Sequence, residues 1–144
     1  MKIGRSQIVQ KNALIVDDDE VILEIVSSWM KSSDWNVTTA CDGAEAFELM
    51  AKRQNINLVL TDYNMPRMDG LTLAEKIKNM DPLIRVVLLT GTCRDILKQE
   101  INIICVDDIL YKPFSLDELD SVIAEYHVRN SVVPYACLEK GATL

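Results

Sequence analysis

The chain has few residues that could support imidazole or thiol chemistry. It contains one histidine, His127, so a His-dependent triad or a His-ligated metal site is excluded unless that residue alone provides it. Its four cysteines show no CxxC spacing and lie scattered among apolar neighbours, which is typical of reduced, mostly buried thiols. Neither a zinc site nor a disulfide framework is therefore indicated for Cys41, Cys93, Cys105 and Cys137.

Long hydrophobic runs and basic patches are also lacking. The longest apolar stretches fall far short of the ~20 residues that a membrane span needs, and residues 1–12 contain no apolar signal-peptide core. Fifteen basic residues stand against 22 acidic ones, giving a net charge of −7, with no Lys/Arg-rich stripe that could neutralise phosphates. We therefore expect a cytoplasmic protein without direct nucleic-acid or membrane contact.

Short apolar runs alternate with segments of helical period along the chain of 144 residues, of which 49% are hydrophobic. Such alternation requires right-handed crossovers and a parallel sheet covered on both faces. The predicted fold class is therefore α/β, a doubly wound five-stranded parallel sheet with five flanking helices. The strands are predicted within residues 13–16, 35–40, 58–61, 84–91 and 108–113, and the helices within residues 21–30, 44–51, 71–80, 94–104 and 116–126.

These elements predict one domain over residues 12–127. Residues 1–11 are interpreted as an N-terminal extension, and residues 128–144, which have no clear period, as a C-terminal tail. Because this tail is too short for a DNA-binding or enzymatic output module, we expect output through protein contact.

Polar residues end the predicted strands. Asp17 and Asp18 follow the first strand, Asp62 the third, Thr90 the fourth, and Lys112 ends the fifth. In a sheet of order 2-1-3-4-5 the first and third strands lie roughly 5 Å apart, so their carboxylates would repel each other unless a cation intervened. Oxygen ligands favour Mg²⁺ over zinc. Considered separately, residues 17–19 are also typical of the solvent-exposed start of a helix, and Asp62 alone is also typical of a helix cap or a loop.

Four motifs in this order, ALIVDDDE, LVLTDYNMPRMDG, VVLLTG and LYKPF, together resemble the response regulator receiver domain of two-component signalling. The resemblance extends over roughly residues 12–126. It implies the flavodoxin-like strand order 2-1-3-4-5. The match is specific because four independent sites agree in order and separation.

The resemblance implies that Asp62 is a phosphoacceptor. It would take a phosphoryl group from a phosphohistidine on a sensor histidine kinase or phosphotransfer protein, and the domain would catalyse only its own phosphorylation and slow dephosphorylation. The implied Mg²⁺ ligands are Asp18, Asp62, the backbone carbonyl of Asn64, and Asp17 through water. Phosphoryl transfer depends mostly on positioning and charge neutralisation, which these groups would supply.

The resemblance also assigns roles to the other strand ends. Lys112 would pair with a carboxylate at rest and with a phosphoryl oxygen when loaded, and the hydroxyl of Thr90 would turn towards the new group. The kinase would dock near the first helix, and a downstream protein target would contact the surface of the fourth helix, fifth strand and fifth helix. A phosphorylation-dependent homodimer stays open.

Ile109 departs from the family pattern, which commonly has Tyr or Phe three residues before the lysine. Tyr111 shares the strand face of Ile109 by period two and is a candidate substitute. A second departure is Val106-Asp107, where Gly-Ala is common. The Ile109 departure puts the usual aromatic relay in doubt.

Other functions remain as alternatives. A Mg²⁺-dependent aspartyl phosphatase of the haloacid dehalogenase kind would use Asp17 and Asp19, but it leaves the Asp62 loop unexplained. A flavodoxin-like cofactor site needs a phosphate-cradling loop after the first strand, where four acids would repel phosphate. A pseudo-receiver would bind partners without phosphorylation. The chain could also be the receiver piece of a larger regulator.

Overall fold

The computed structural model describes residues 10–52, 55–91 and 105–132, with side chains described as far as residue 124. By its contacts the chain divides into two units, residues 1–112 and 113–144. The predicted fourth helix, Cys93, Cys137 and the side chain of His127 lie outside the described residues.

The first unit contains a five-stranded parallel sheet of order β2-β1-β3-β4-β5. This confirms the predicted doubly wound α/β class and strand order. The strands are β1 (Asn12–Val16), β2 (Asn36–Ala40), β3 (Leu58–Asp62), β4 (Arg85–Thr90) and β5 (Asp108–Tyr111). The helices of this unit are α1 (Glu20–Ser32), α2 (Gly43–Lys52) and α3 (Gly70–Met80).

Aspartates begin the three helices by accepting backbone N–H groups that would otherwise lack partners. Asp19 Oδ1 accepts from Val21 N at 2.9 Å, and Asp69 Oδ1 accepts from Thr72 N at 2.8 Å. Asp42 Oδ1 accepts from Glu45 N at 2.9 Å. Each cap follows the carboxyl end of a strand closely, so the capped helix ends surround the edge of the sheet where those strands stop.

The central strands are buried because helices cover both faces of a parallel sheet. Every residue of β3 and β4 is buried, and so are the last four of β1. Leu14, Val59 and Val86 from these strands form one core cluster with Leu73 and Ile77 of α3. This packing fixes the ends of β1, β3 and β4 relative to one another.

The second unit contains the C-terminal helix (Leu116–Val132). Ser115 Oγ accepts from Glu118 N at 3.1 Å and so caps the start of this helix. Leu119, Val122 and Ile123 are buried. The helix continues past residue 127, where the tail was predicted to start, because the next helix breaker in the sequence is Pro134.

No helix in the described ranges combines the length and apolar character that crossing a membrane requires. The free cysteines among the described residues are Cys41, which is exposed, and Cys105, which is half-buried. The expectation of mostly buried thiols is therefore wrong for Cys41. That residue follows the last residue of β2 and lies in a turn rather than in the sheet.

Candidate functional site

Three carboxylates meet at the carboxyl ends of β1 and β3. Val16 of β1 pairs with Thr61 of β3, so the next residue along each strand direction, Asp17 and Asp62, emerges beside the other. Oxygen atoms of Asp17, Asp18 and Asp62 all lie within 4.8 Å of one another. The sheet winding reverses between these two strands, which is where open α/β sheets bind their ligands.

The three carboxylates have different surroundings. Asp17 is fully buried at 0% exposure and Asp62 is 7% exposed, whereas Asp18 is exposed to solvent. Asp17 uses both oxygens: Oδ1 accepts from Asp19 N at 2.9 Å, and Oδ2 accepts from Lys112 Nζ at 2.8 Å. Asp17 is thus held rigidly, and Asp18 faces the solvent from which an ion would arrive.

Lys112 bridges the two buried carboxylates. Its Nζ lies 2.8 Å from Asp17 Oδ2 and 3.3 Å from Asp62 Oδ1. Burial lowers the pKa of Lys112, but the hydrogen bond and charge of Asp17 and the charge of Asp62 outweigh burial and raise this pKa overall. The ammonium is therefore firmly protonated and partly neutralises the cluster.

The surroundings of Asp62 shift its pKa. Burial, followed by the negative charge of Asp17, raises the pKa of Asp62 to about 6, against the opposing effects of Lys112 and the Tyr63 amide. Its Oδ1 accepts from Tyr63 N at 2.9 Å and faces Lys112.

Thr90 and Lys112 are linked through the backbone at the next strand ends. Thr90 is fully buried at the end of β4, and its carbonyl oxygen accepts from Lys112 N at 2.7 Å. Thr90 also pairs with Tyr111 in the sheet register. Ile109 and Tyr111 are both half-buried, and the predicted substitution of one for the other in an aromatic relay stays a prediction.

The loop after β3 contains Asn64, which is exposed two residues beyond Asp62. Gly70 N donates to the carbonyl of Tyr63 at 2.8 Å and closes the loop. A Cβ at position 70 would lie 2.2 Å from the carbonyl oxygen of Asp62. Only glycine therefore fits at the start of α3 without displacing the strand that carries Asp62.

The ion pairs that the sequence did not predict include Arg67–Asp42 and Lys78–Asp107. Arg67 forms a salt bridge with Asp42 at the start of α2. Lys78 Nζ lies 2.6 Å from Asp107 Oδ2 and also donates to the carbonyl of Ile84 at 2.7 Å. Their partners lie 25 and 29 residues away along the chain, and no periodic pattern marks them.

The donor set of the acidic cluster fits a hard divalent cation. It offers carboxylate oxygens and no sulfur or imidazole, which favours magnesium over softer metals. Asp19, the second acid of the phosphatase alternative, is not part of the cluster among described residues, and its Oδ1 caps α1. A second group, Cys41, Asp42 and Glu45, is engaged internally by the Arg67 pair and a Cys41–Glu45 hydrogen bond.

Comparison with known proteins gives one consistent family. A family model described as "Response regulator receiver domain" matches residues 13–124. The chain is 37% identical over 108 residues to the "Probable transcriptional regulatory protein TcrX" of Mycobacterium tuberculosis, covering 74% of this chain and 45% of that protein. It is 33% identical over 116 residues to the "Sensor histidine kinase RcsC" of Salmonella typhi, covering 81% of this chain and 12% of that protein. The chain therefore spans less than half the length of either relative.

Solved structures agree with this match. Chemotaxis protein CheY4 of Vibrio cholerae is 26% identical, with a TM-score of 0.74 over 81% of this chain and 98% of that chain. Response regulator protein TrrA of Thermotoga maritima, solved in complex with Mg(2+)-BeF, is 27% identical, with a TM-score of 0.73 and the same coverage of 81% and 98%.

Proposed function

The chain belongs to the response regulator receiver family, a family of signalling domains rather than catalytic enzymes, and on this premise we propose that it is a Mg²⁺-dependent phosphorylation switch with Asp62 as phosphoacceptor. The observation that carries the proposal is the cluster of three carboxylates within 4.8 Å, with Lys112 bridging the two buried ones. The phosphodonor is a phosphohistidine of a sensor histidine kinase or phosphotransfer protein.

Asp17, Asp18, Asp62 and the backbone carbonyl of Asn64 would hold the ion. Bound magnesium would neutralise charge on the cluster and on the incoming phosphoryl oxygens. Asp17 is already held by Lys112 and by the Asp19 amide, so it is preorganised for this role. The exposed Asp18 and the exposed loop of Asn64 leave the solvent side of the site accessible.

Asp62 supplies the nucleophilic oxygen. One carboxylate oxygen forms a bond to phosphorus while the bond between phosphorus and the imidazole nitrogen breaks, and the imidazole keeps the electron pair. The raised pKa of Asp62, about 6, makes its carboxylate more basic than an ordinary aspartate while leaving it mostly ionised at neutral pH. A basic carboxylate is the better nucleophile for this step.

Lys112 and Thr90 respond to the new group. In the resting site the Lys112 ammonium contacts both buried carboxylates, so on phosphorylation it can transfer one contact to a phosphoryl oxygen while keeping Asp17. The buried Thr90 joins Lys112 through the hydrogen bond from Lys112 N to the Thr90 carbonyl. A movement of the backbone at one residue would therefore displace the backbone of the other.

The phosphodonor would dock beside α1, over Asp19, Glu20 and Leu23. Two large apolar side chains of this helix, Val21 and Ile25, are 60% and 49% exposed. Exposed apolar residues one helical turn apart are suited to packing against a partner helix. The docking surface thus begins directly after the acidic cluster in the chain.

Output would pass to a downstream protein target in the cytoplasm. The surface predicted for it includes the fourth helix, which lies outside the described residues. The relatives TcrX and RcsC are longer than this chain, so a second candidate is that this chain is the receiver piece of a larger regulator. A phosphorylation-dependent homodimer stays a prediction, and gel filtration with and without beryllofluoride tests it.

The proposal is tested by incubating the protein with acetyl phosphate, with and without Mg²⁺. We expect the wild type to gain one hydroxylamine-labile phosphate, located on Asp62 by peptide mass spectrometry, only when Mg²⁺ is present. Asp62→Asn should gain none, and Lys112→Ala should gain it more slowly. Undiminished labelling of Asp62→Asn, or labelling of the wild type in EDTA, would refute the proposal. Continuous turnover of many phosphate esters would favour the phosphatase alternative instead.

A further inference from the structure

We infer that Asp42 and Arg67 act as a clamp that positions the loop of residues 63–69 for cation binding. The inference rests on the proposed function, because that loop contains Asn64, whose carbonyl we assign to the magnesium site. The two residues are positioning residues: they hold the loop and touch neither the phosphoacceptor nor the ion.

The backbone of Arg67 indicates that the loop is held in a specific shape. Its φ is 71°, in the left-handed region that arginine rarely occupies and that glycine or asparagine adopts at lower cost. Such a conformation persists where surrounding contacts determine it. The side chain supplies one such contact through the salt bridge between its guanidinium and Asp42 Oδ2.

The other end of the clamp is anchored to α2. Asp42 is 5% exposed, and its Oδ1 accepts from Glu45 N at 2.9 Å while Oδ2 faces Arg67. The Glu45 amide, and then Arg67, hold the pKa of Asp42 below its usual range. Asp42 is therefore an ionised partner in a fixed position. It cannot move with Arg67 without losing the hydrogen bond from Glu45 N that caps α2.

The backbone of the loop lies against the same helix end. A Cβ at Gly43 would lie 2.7 Å from the carbonyl oxygen of Met68, so the loop passes directly over the first turn of α2. At its base, Gly70 N bonds to the Tyr63 carbonyl at 2.8 Å. Asn64 thus lies between the hydrogen bond that closes the loop and the residues of the loop that contact the start of α2.

A loop that is already ordered loses less conformational freedom when it binds an ion. Removing the clamp should therefore weaken Mg²⁺ binding, but it should not change the phosphorylation rate once Mg²⁺ is saturating, because the bound ion then orders the loop. Since the Arg67 side chain is 66% exposed, solvent screens the pair. We expect the Mg²⁺ dissociation constant to rise about two- to fivefold.

The test uses Arg67→Gln and Asp42→Asn, with Arg67→Lys as the conservative variant that keeps the positive charge. The matched control is Lys31→Gln, which removes an exposed cation at the end of α1. Three quantities are measured: the Mg²⁺ dissociation constant by isothermal titration calorimetry, amide hydrogen exchange of residues 63–69 without metal, and the acetyl phosphate labelling rate across Mg²⁺ concentrations.

The inference predicts weaker Mg²⁺ binding and faster loop exchange in Arg67→Gln and Asp42→Asn, with recovery in Arg67→Lys and no change in the control. The labelling rate at saturating Mg²⁺ should match the wild type. Unchanged affinity and exchange in Arg67→Gln would overturn the clamp, and so would a reduced saturating rate with unchanged affinity. A wild type that binds no Mg²⁺ would refute the proposed function itself, independently of any clamp variant.

Discussion

In the metal-free protein, Asp62→Asn removes a buried negative charge that lies beside a second buried carboxylate, Asp17. The folded-state pKa of Asp62, about 6, lies above its ordinary value of 3.8, so the folded protein binds this proton more tightly than the unfolded chain does. The stability that the proton contributes is fully present below about pH 4 and is lost as the pH rises through about 6. Neutralisation by asparagine should therefore stabilise the protein at neutral pH.

The size of the effect follows from the same difference. At about 1.4 kcal/mol per pH unit, the interval between 3.8 and about 6 corresponds to roughly 3 kcal/mol as an upper bound. Asparagine also weakens the contact with Lys112, which offsets part of this gain. We expect a net stabilisation of about 1–2 kcal/mol near neutral pH, or a rise in Tm of about 2–8 °C.

The assay is thermal unfolding followed by circular dichroism in EDTA across the range from about pH 4 to about pH 7.5. The difference between variant and wild type should be small at the acidic end and grow as the pH rises. Saturating Mg²⁺ should narrow it, because the ion stabilises the wild type more. Glu24→Gln, an exposed acid on α1, is the control and should change little. A variant no more stable than the wild type at neutral pH, or a difference independent of pH, would refute the reasoning.

Two further variants test how the strand edge is held. Gly70→Ala should destabilise the fold by about 3 kcal/mol and weaken Mg²⁺ binding, because its Cβ would lie 2.2 Å from the Asp62 carbonyl oxygen. Gly91→Ala is the comparison: among the described residues its Cβ would meet nothing within 4 Å, so stability in urea titrations should change by less than about 0.5 kcal/mol. Lys78→Met should cost about 1–3 kcal/mol, because it removes the ammonium 2.6 Å from Asp107 Oδ2. Adding Asp107→Asn should recover part of that loss, and strictly additive losses in the double variant would argue against a coupled pair.

Topology made the distant contacts of the acidic site predictable. Lys112 and Asp17 are 95 residues apart in the chain, yet their side chains meet at 2.8 Å. Each residue directly follows a parallel strand, and the carboxyl ends of parallel strands share one edge of the sheet. Their positions at strand ends therefore predicted that they would meet, although the roles assigned to them stay predictions.

Contacts made by loops and helix faces were not predictable in the same way. Arg67 is exposed and Lys78 and Asp107 are half-buried, and at such positions a charged residue is the common choice and indicates nothing specific. Asp42 is buried, but an aspartate before a helix is already explained as a cap. The left-handed backbone of Arg67 gave no signal either, because glycine or asparagine usually marks such a position. The pattern of apolar and polar residues predicts which side chains are buried. It does not predict the ion pairs or the backbone conformation of Arg67, because these depend on how loops and helix faces are placed.

The position of Lys112 between two carboxylates sets the net charge of the site before phosphorylation. With Asp62 ionised, three carboxylates and one ammonium sum to two negative charges, which a single divalent ion cancels. A transferred phosphoryl group would upset that balance again, and the four resident groups have no charge left to restore it. Hydrogen-bond donors outside the three carboxylates and Lys112 must therefore compensate the added negative charge. The movement of those donors towards the phosphoryl group would be the structural response to phosphorylation.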